Sequence, residues 1–105
     1  MKRGDVWWAD LPPPFGRRPV VLLSRDEAYL IRDLVMLAPV TTRIRGLRAE
    51  VPLGPEDGLP RSCVVNLDTI YTHSKHTLQE LITSLRSEKL QAVDSAIHFA
   101  LGLES

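Results

Sequence analysis

The sequence predicts an α+β chain that is mostly β: a small, curved, largely antiparallel sheet with a helix packed on it at the C-terminal end. Three observations carry this. Short apolar or β-branched runs recur, each closed by turn residues, as in Asp5–Leu11 followed by Pro12-Pro13-Pro14. Eight prolines and six glycines punctuate 105 residues, too often for long helices and often enough to bend a sheet. The one sustained helical spacing lies at the end, where Leu90, Val93, Ile97 and Leu101 fall on one face before Gly102.

The elements follow in order. Asp5–Leu11 is a strand whose adjacent Trp7 and Trp8 must face opposite sides of the sheet, one in the core and the other exposed or covered by a ligand. Pro19–Ser24 is a second strand, apolar enough to be buried. Ser24-Arg25-Asp26-Glu27 has the form of a capping box and predicts a short helix to Ile31. Asp33–Val40 predicts a third, central strand, and Arg43–Arg48 an exposed loop. Glu50–Leu53 is an edge strand marked by Pro52, turned by Gly54–Gly58. Cys63–Ile70 predicts another strand. Thr77-Leu78-Gln79-Glu80 repeats the capping-box pattern and predicts a helix to Leu85, and Ser87 is placed to cap the last helix.

The length sets a single domain over residues 1–105. No apolar run is long enough for a membrane span, the opening Met1–Asp5 has no apolar stretch behind its charges, and the lone Cys63 fits a reducing cytoplasm. The net charge of zero conceals a division: nine Lys/Arg against five Asp/Glu in residues 1–48, four against eight in residues 49–105. Ten of the 13 basic residues are arginine, which suits planar contact with phosphate and stacking on bases.

Metal, Gly-rich phosphate-loop and nucleophile-elbow motifs are absent, so no cofactor or metal is expected. His73 and His76 precede a proposed helix cap, where solvated caps are commoner than acid–base pairs, and His98 stands four residues after Asp94, at surface-pair spacing. What remains is Gly16-Arg17-Arg18-Pro19 at the entry to one buried strand and Ala38-Pro39-Val40-Thr41-Thr42 at the end of another. A rigidly held arginine beside hydroxyls is what an oxyanion site requires. The other reading pairs Arg18 with Asp10 or Asp68. Arg17, Arg43, Arg45 and Arg48 surround this constellation in sequence, and Phe15 or a tryptophan could stack on a base.

The strings Arg3–Pro12, Gly16–Ser24, Ala38–Thr42, Val64–Asp68 and Ala100–Leu103, in this order, resemble the MazF/PemK toxins of bacterial type II toxin–antitoxin modules over nearly the whole chain. The resemblance implies an SH3-like small barrel of the CcdB/MazF type with short helices and a C-terminal helix, assembled as a homodimer. It implies a sequence-specific endoribonuclease that cleaves single-stranded RNA without a metal, leaving a 2′,3′-cyclic phosphate and a 5′-hydroxyl. Arg18 and Thr41 then stand at the catalytic positions, with Phe15, Arg17, Ser24, Thr42, Arg43, Arg45 and Arg48 as RNA contacts, and the partner is a cognate antitoxin. The stretch before Arg18 is shorter than in many relatives, and Cys63 stands where they often carry serine. Two alternatives are a gyrase poison of the CcdB type, disfavoured by the absence of aromatics among Leu101–Ser105, and a catalytically dead nucleic-acid-binding module.

Overall fold

The computed structural model describes residues 1–104. Its elements are β1 (Asp5–Leu11), β2 (Gly16–Leu22), α1 (Ala28–Ile31), β3 (Leu34–Thr41), β4 (Glu50–Leu53), β5 (Cys63–Asn66), β6 (Tyr71–Ser74), β7 (Leu78–Ser84) and α2 (Ser87–Ala100). All neighbouring strands pair antiparallel, in the order β4-β5-β3-β2-β1-β7. One edge of β3 is shared: Leu34–Leu37 pair with β6, and Val40 and Thr41 pair with β5. A strand with different partners along one edge cannot stay in a flat sheet, so the sheet curls at Ala38–Val40. The β1–β7 ladder adds irregularities between Val6 and Trp7 and between Trp8 and Ala9, which sharpen the bend.

Side-chain alternation divides the interior in two. Val6, Val21, Ala38, Val40, Val51 and Val65 form one core, covered by Val93 and Ala96 of α2. Ala9, Leu11, Val20, Leu22 and Leu37 form a second around Tyr29, with Phe15 and Tyr71 packed at its margin. Burial pushes the Tyr29 phenol up to about 12, so it is a neutral donor to the Ser24 carbonyl at 3.1 Å. The turn after α2 has Gly102 at φ +70°, with its N–H bonded to Phe99 and that of Leu103 to His98, a Schellman stop.

The expected fold is present, with several local corrections. Thr77–Leu85 is not a helix: Leu78–Ser84 is β7, the partner of the free β1 edge, and the Thr77 hydroxyl donates to the Ser74 carbonyl at 2.8 Å. Ser24 caps nothing; its Oγ accepts from the Met36 N–H at 2.8 Å, tying the bend after β2 to β3, and α1 has shrunk to Ala28–Ile31 with no side-chain cap. The strand expected over Cys63–Ile70 ends at Asn66, and β6 follows it. Neither tryptophan is fully buried or fully exposed: Trp7 packs at the margin of the second core, and Trp8 lines a cavity on the other face. Ser87 starts α2 without a side-chain cap, and Asp94 pairs with Arg3 at 2.6 Å rather than with His98. Cys63 is buried, its thiol pushed up by desolvation.

Candidate functional site

The register of β2 on β3 builds the site. Val20 lies opposite Pro39, and continuing this antiparallel register by two residues sets Arg18 opposite Thr41, with both side chains on the same face of the sheet. Together they line a polar groove of about 230 Å³. Arg43 and Arg45 enter it from the loop after β3, Phe15 from the loop before β2, and Asn66, Thr69 and Tyr71 from β5, the turn and β6. No acidic side chain lines it.

Arg18 is half-buried, and its Nε donates to the Phe15 carbonyl at 2.8 Å. That bond fixes the plane of the guanidinium and leaves both terminal amino groups open. Among the described residues Arg18 joins no ion pair, so neither Asp10 nor Asp68 is its partner. The Thr41 Oγ1 accepts from the Arg43 N–H at 3.1 Å, which orients the hydroxyl and leaves its proton free to donate.

Tyr71 is a groove residue that sequence reasoning missed. Its ring packs on Phe15 with centroids 4.6 Å apart, and its hydroxyl is buried without a hydrogen-bond partner. Burial pushes its phenol up, more than the nearby Arg18 charge lowers it, so a neutral O–H donor waits beside the guanidinium. Asn66 belonged to a recognised string, but no local pattern singled out Thr69 or Tyr71, because β6 was not read as a strand.

A buried carboxylate holds the Arg43–Arg48 loop. Glu50 Oε1 accepts from the N–H groups of Arg45 at 3.0 Å and Leu47 at 3.3 Å, which gives the loop a fixed shape despite its exposure.

Four expected contacts lie elsewhere. Ser24 is buried in its bond to Met36. Arg48 is tied to Glu104 through two contacts of 2.8 and 2.6 Å and stacks over Phe99. Arg17 points to the opposite face of β2 from Arg18, as strand alternation demands, where it lies 4.3 Å over the Trp8 ring and bonds Gln79. Thr42 lines a different cavity, beside Trp8. No three His, Cys, Asp or Glu side chains cluster as metal ligands among the described residues, and no helix there is long and apolar enough to cross a membrane.

A curled β sheet closed by a C-terminal helix is a fold this chain shares with small toxins. The model of the PemK-like, MazF-like toxins of type II toxin–antitoxin systems matches residues 2–101, and the chain belongs to that family. It is 41% identical over 100 residues to the probable endoribonuclease MazF5 of Mycobacterium tuberculosis, covering 94% of this chain and 91% of that one. It is 35% identical to the endoribonuclease MazF of Staphylococcus saprophyticus, over 100% of this chain and 94% of that one. Among solved structures, the M. tuberculosis toxin MazF-mt6 superimposes with a TM-score of 0.88 at 32% identity, over 96% of this chain and 99% of the other. A mycobacterial endoribonuclease in complex with its cognate antitoxin gives 0.88 at 28% identity, over 100% and 98%. These relatives do not favour the gyrase-poison alternative.

Proposed function

We propose that this chain is the toxin of a type II pair and acts in the cytoplasm as a sequence-specific endoribonuclease on single-stranded RNA, with no metal in the reaction. The observation that carries the reading is the open, acid-free Arg18 guanidinium set across a groove from Thr41. RNA supplies its own nucleophile. When the ribose 2′-oxygen attacks the adjacent phosphorus, the P–O2′ bond forms, the P–O5′ bond breaks, and the proton lost by the 2′-hydroxyl is balanced by one gained at the departing 5′-oxygen. The products are a 2′,3′-cyclic phosphate and a 5′-hydroxyl. Negative charge grows on the phosphate oxygens, and Arg18 meets it with fixed donors at little reorganisation cost. A guanidinium is a donor without an acceptor site, so Arg18 stabilises charge rather than acting as base. Thr41 anchors a phosphate oxygen, and the Thr41 and Tyr71 hydroxyls are the groove's means of passing a proton. Arg43 and Arg45 extend the positive surface along the strand and Phe15 offers a stacking face.

The test is direct. Purified protein with single-stranded RNA and excess chelator is expected to yield fragments with cyclic-phosphate 3′ ends and 5′-hydroxyl ends. Intact RNA under those conditions overturns the reading.

The assembly we propose is a homodimer held through α1 and β3. Leu30 and Ile31 are 85% and 71% exposed, and Leu34 and Met36 follow on one face of β3 at 47% and 45%, exposed apolar side chains close together in the chain that call for a cover. The wild type is expected to sediment at twice the chain mass and Met36→Glu at the chain mass, because a charge at an exposed position spares the monomer core. A monomeric wild type, or a dimeric Met36→Glu, removes this interface. The remaining partner is a cognate antitoxin, supported by the relative solved with its own.

A further inference from the structure

The end of β3 separates two cavities, and Thr41 lines both. The second, of about 220 Å³, lies on the opposite face of β2 from Arg18. Its lining is mostly apolar: the Trp8 indole and the Pro19 ring that pairs with it in register, with Val40, Leu59, Pro60 and Cys63. Its rim is polar, with Thr42 and Arg61, and Arg61 makes no hydrogen bond or ion pair among the described residues. Arg17, outside this lining, lies over the Trp8 ring.

We infer that this cavity holds one nucleobase of the RNA next to the scissile phosphate, stacked on the side formed by Trp8 and Pro19, with Arg61 and Thr42 reading its edge. The inference rests on the endoribonuclease reading above. The occupant follows from the lining. The Trp8 indole with the Pro19 ring beside it offers apolar area on which a planar ring can stack, and every base has a π-face whatever its sequence. A guanidinium fork and a hydroxyl at the mouth match the acceptors of a base edge, the guanine O6/N7 pair being the best fit to arginine. The position follows from Thr41: a phosphate held between Arg18 and Thr41 leaves its neighbouring base a short step from the far side of the same residue. Arg17 and Arg61 add positive charge on that side, where a sugar–phosphate chain would rise out of the cavity. Sequence discrimination is therefore divided, with Arg43 and Arg45 acting on one side of Thr41 and Arg61 on the other.

The test compares wild type, Arg61→Ala and Thr42→Phe. Both positions are exposed, so both variants fold, and the second fills the mouth. RNA end-mapping gives the base preference at each position around the cut. The expected result is that preference at one position flanking the cut falls about tenfold in both variants, while preferences elsewhere hold. In parallel, a 2′-O-methyl RNA of the mapped cut sequence, which cannot be cleaved, is titrated by tryptophan fluorescence. It is expected to quench wild type, to quench the two variants only at about tenfold higher concentration, and to leave Trp8→Phe unchanged. Unaltered preferences in both variants of an RNA-cutting protein overturn this inference and spare the endoribonuclease reading. A wild type that cuts no RNA overturns that reading and this inference with it. Quenching by a peptide of the antitoxin but not by the RNA assigns the cavity to the protein partner and overturns the inference.

Discussion

Arg18→Ala is expected to lower the cleavage rate by about 10³-fold, about 4 kcal/mol of transition-state stabilisation, while the protein stays folded. The size follows from the site. The guanidinium is held by the Phe15 carbonyl, no carboxylate shares it, and nothing else in the groove carries charge on β2. The stability change is small, because the wild-type side chain is half-buried and makes one hydrogen bond, worth about 1 kcal/mol. Arg18→Lys separates charge from geometry. A lysine keeps the positive charge but loses the planar fork, so its rate is expected to fall between those of wild type and alanine. The measurement is single-turnover cleavage of one RNA, with circular dichroism and melting temperature as the folding control. If folded Arg18→Ala cuts at the wild-type rate, the groove is not where the chemistry occurs.

Gly58→Ala is expected to be the most damaging small substitution for stability. Gly58 has φ +95°, which costs a residue with a Cβ about 1–2 kcal/mol. The added methyl would also stand 2.6 Å from Thr83 Oγ1 and 2.7 Å from Thr83 Cβ. The Oγ1 can rotate away, but the Cβ is fixed to the β7 backbone, so the turn over Pro55–Asp57 must lift off β7. Strain and lost packing together are expected to cost about 3–4 kcal/mol, lowering the melting temperature by on the order of 15 °C. Gly46→Ala is the internal comparison: at φ +71° with nothing within 4 Å of the added Cβ, only the backbone cost remains. Equal melting temperatures for the two variants would show that the contact with Thr83 contributes nothing. The same turn leads into Leu59, Pro60 and Arg61, so its displacement also disturbs the second cavity.

Much of this was written locally. The family resemblance singled out Arg18 and Thr41, while β1, the edge strand with Pro52 and the glycine stop of α2 could be read from runs and punctuation. Those signals act within a few residues, through backbone dihedrals and side-chain period, and so they survive in the sequence. Thr77–Glu80 shows the limit of such reading. Its Thr-x-x-Glu pattern satisfies a helix start, but β1 had an unpaired edge beside the tryptophans, and filling it outweighed the local preference. Ser24 failed in the same way, its hydroxyl taken by a strand that lies 12 residues further on.

The chain's own order of residues thus determined a mostly β fold, its family, and the two side chains at the centre of the groove. The tertiary structure alone decided which arginines join them. Strand alternation turned Arg17 to the far face, Glu104 drew Arg48 away, and the split edge of β3 brought Tyr71 beside Arg18. Those outcomes depend on register and on contacts between distant segments, which no local pattern encodes.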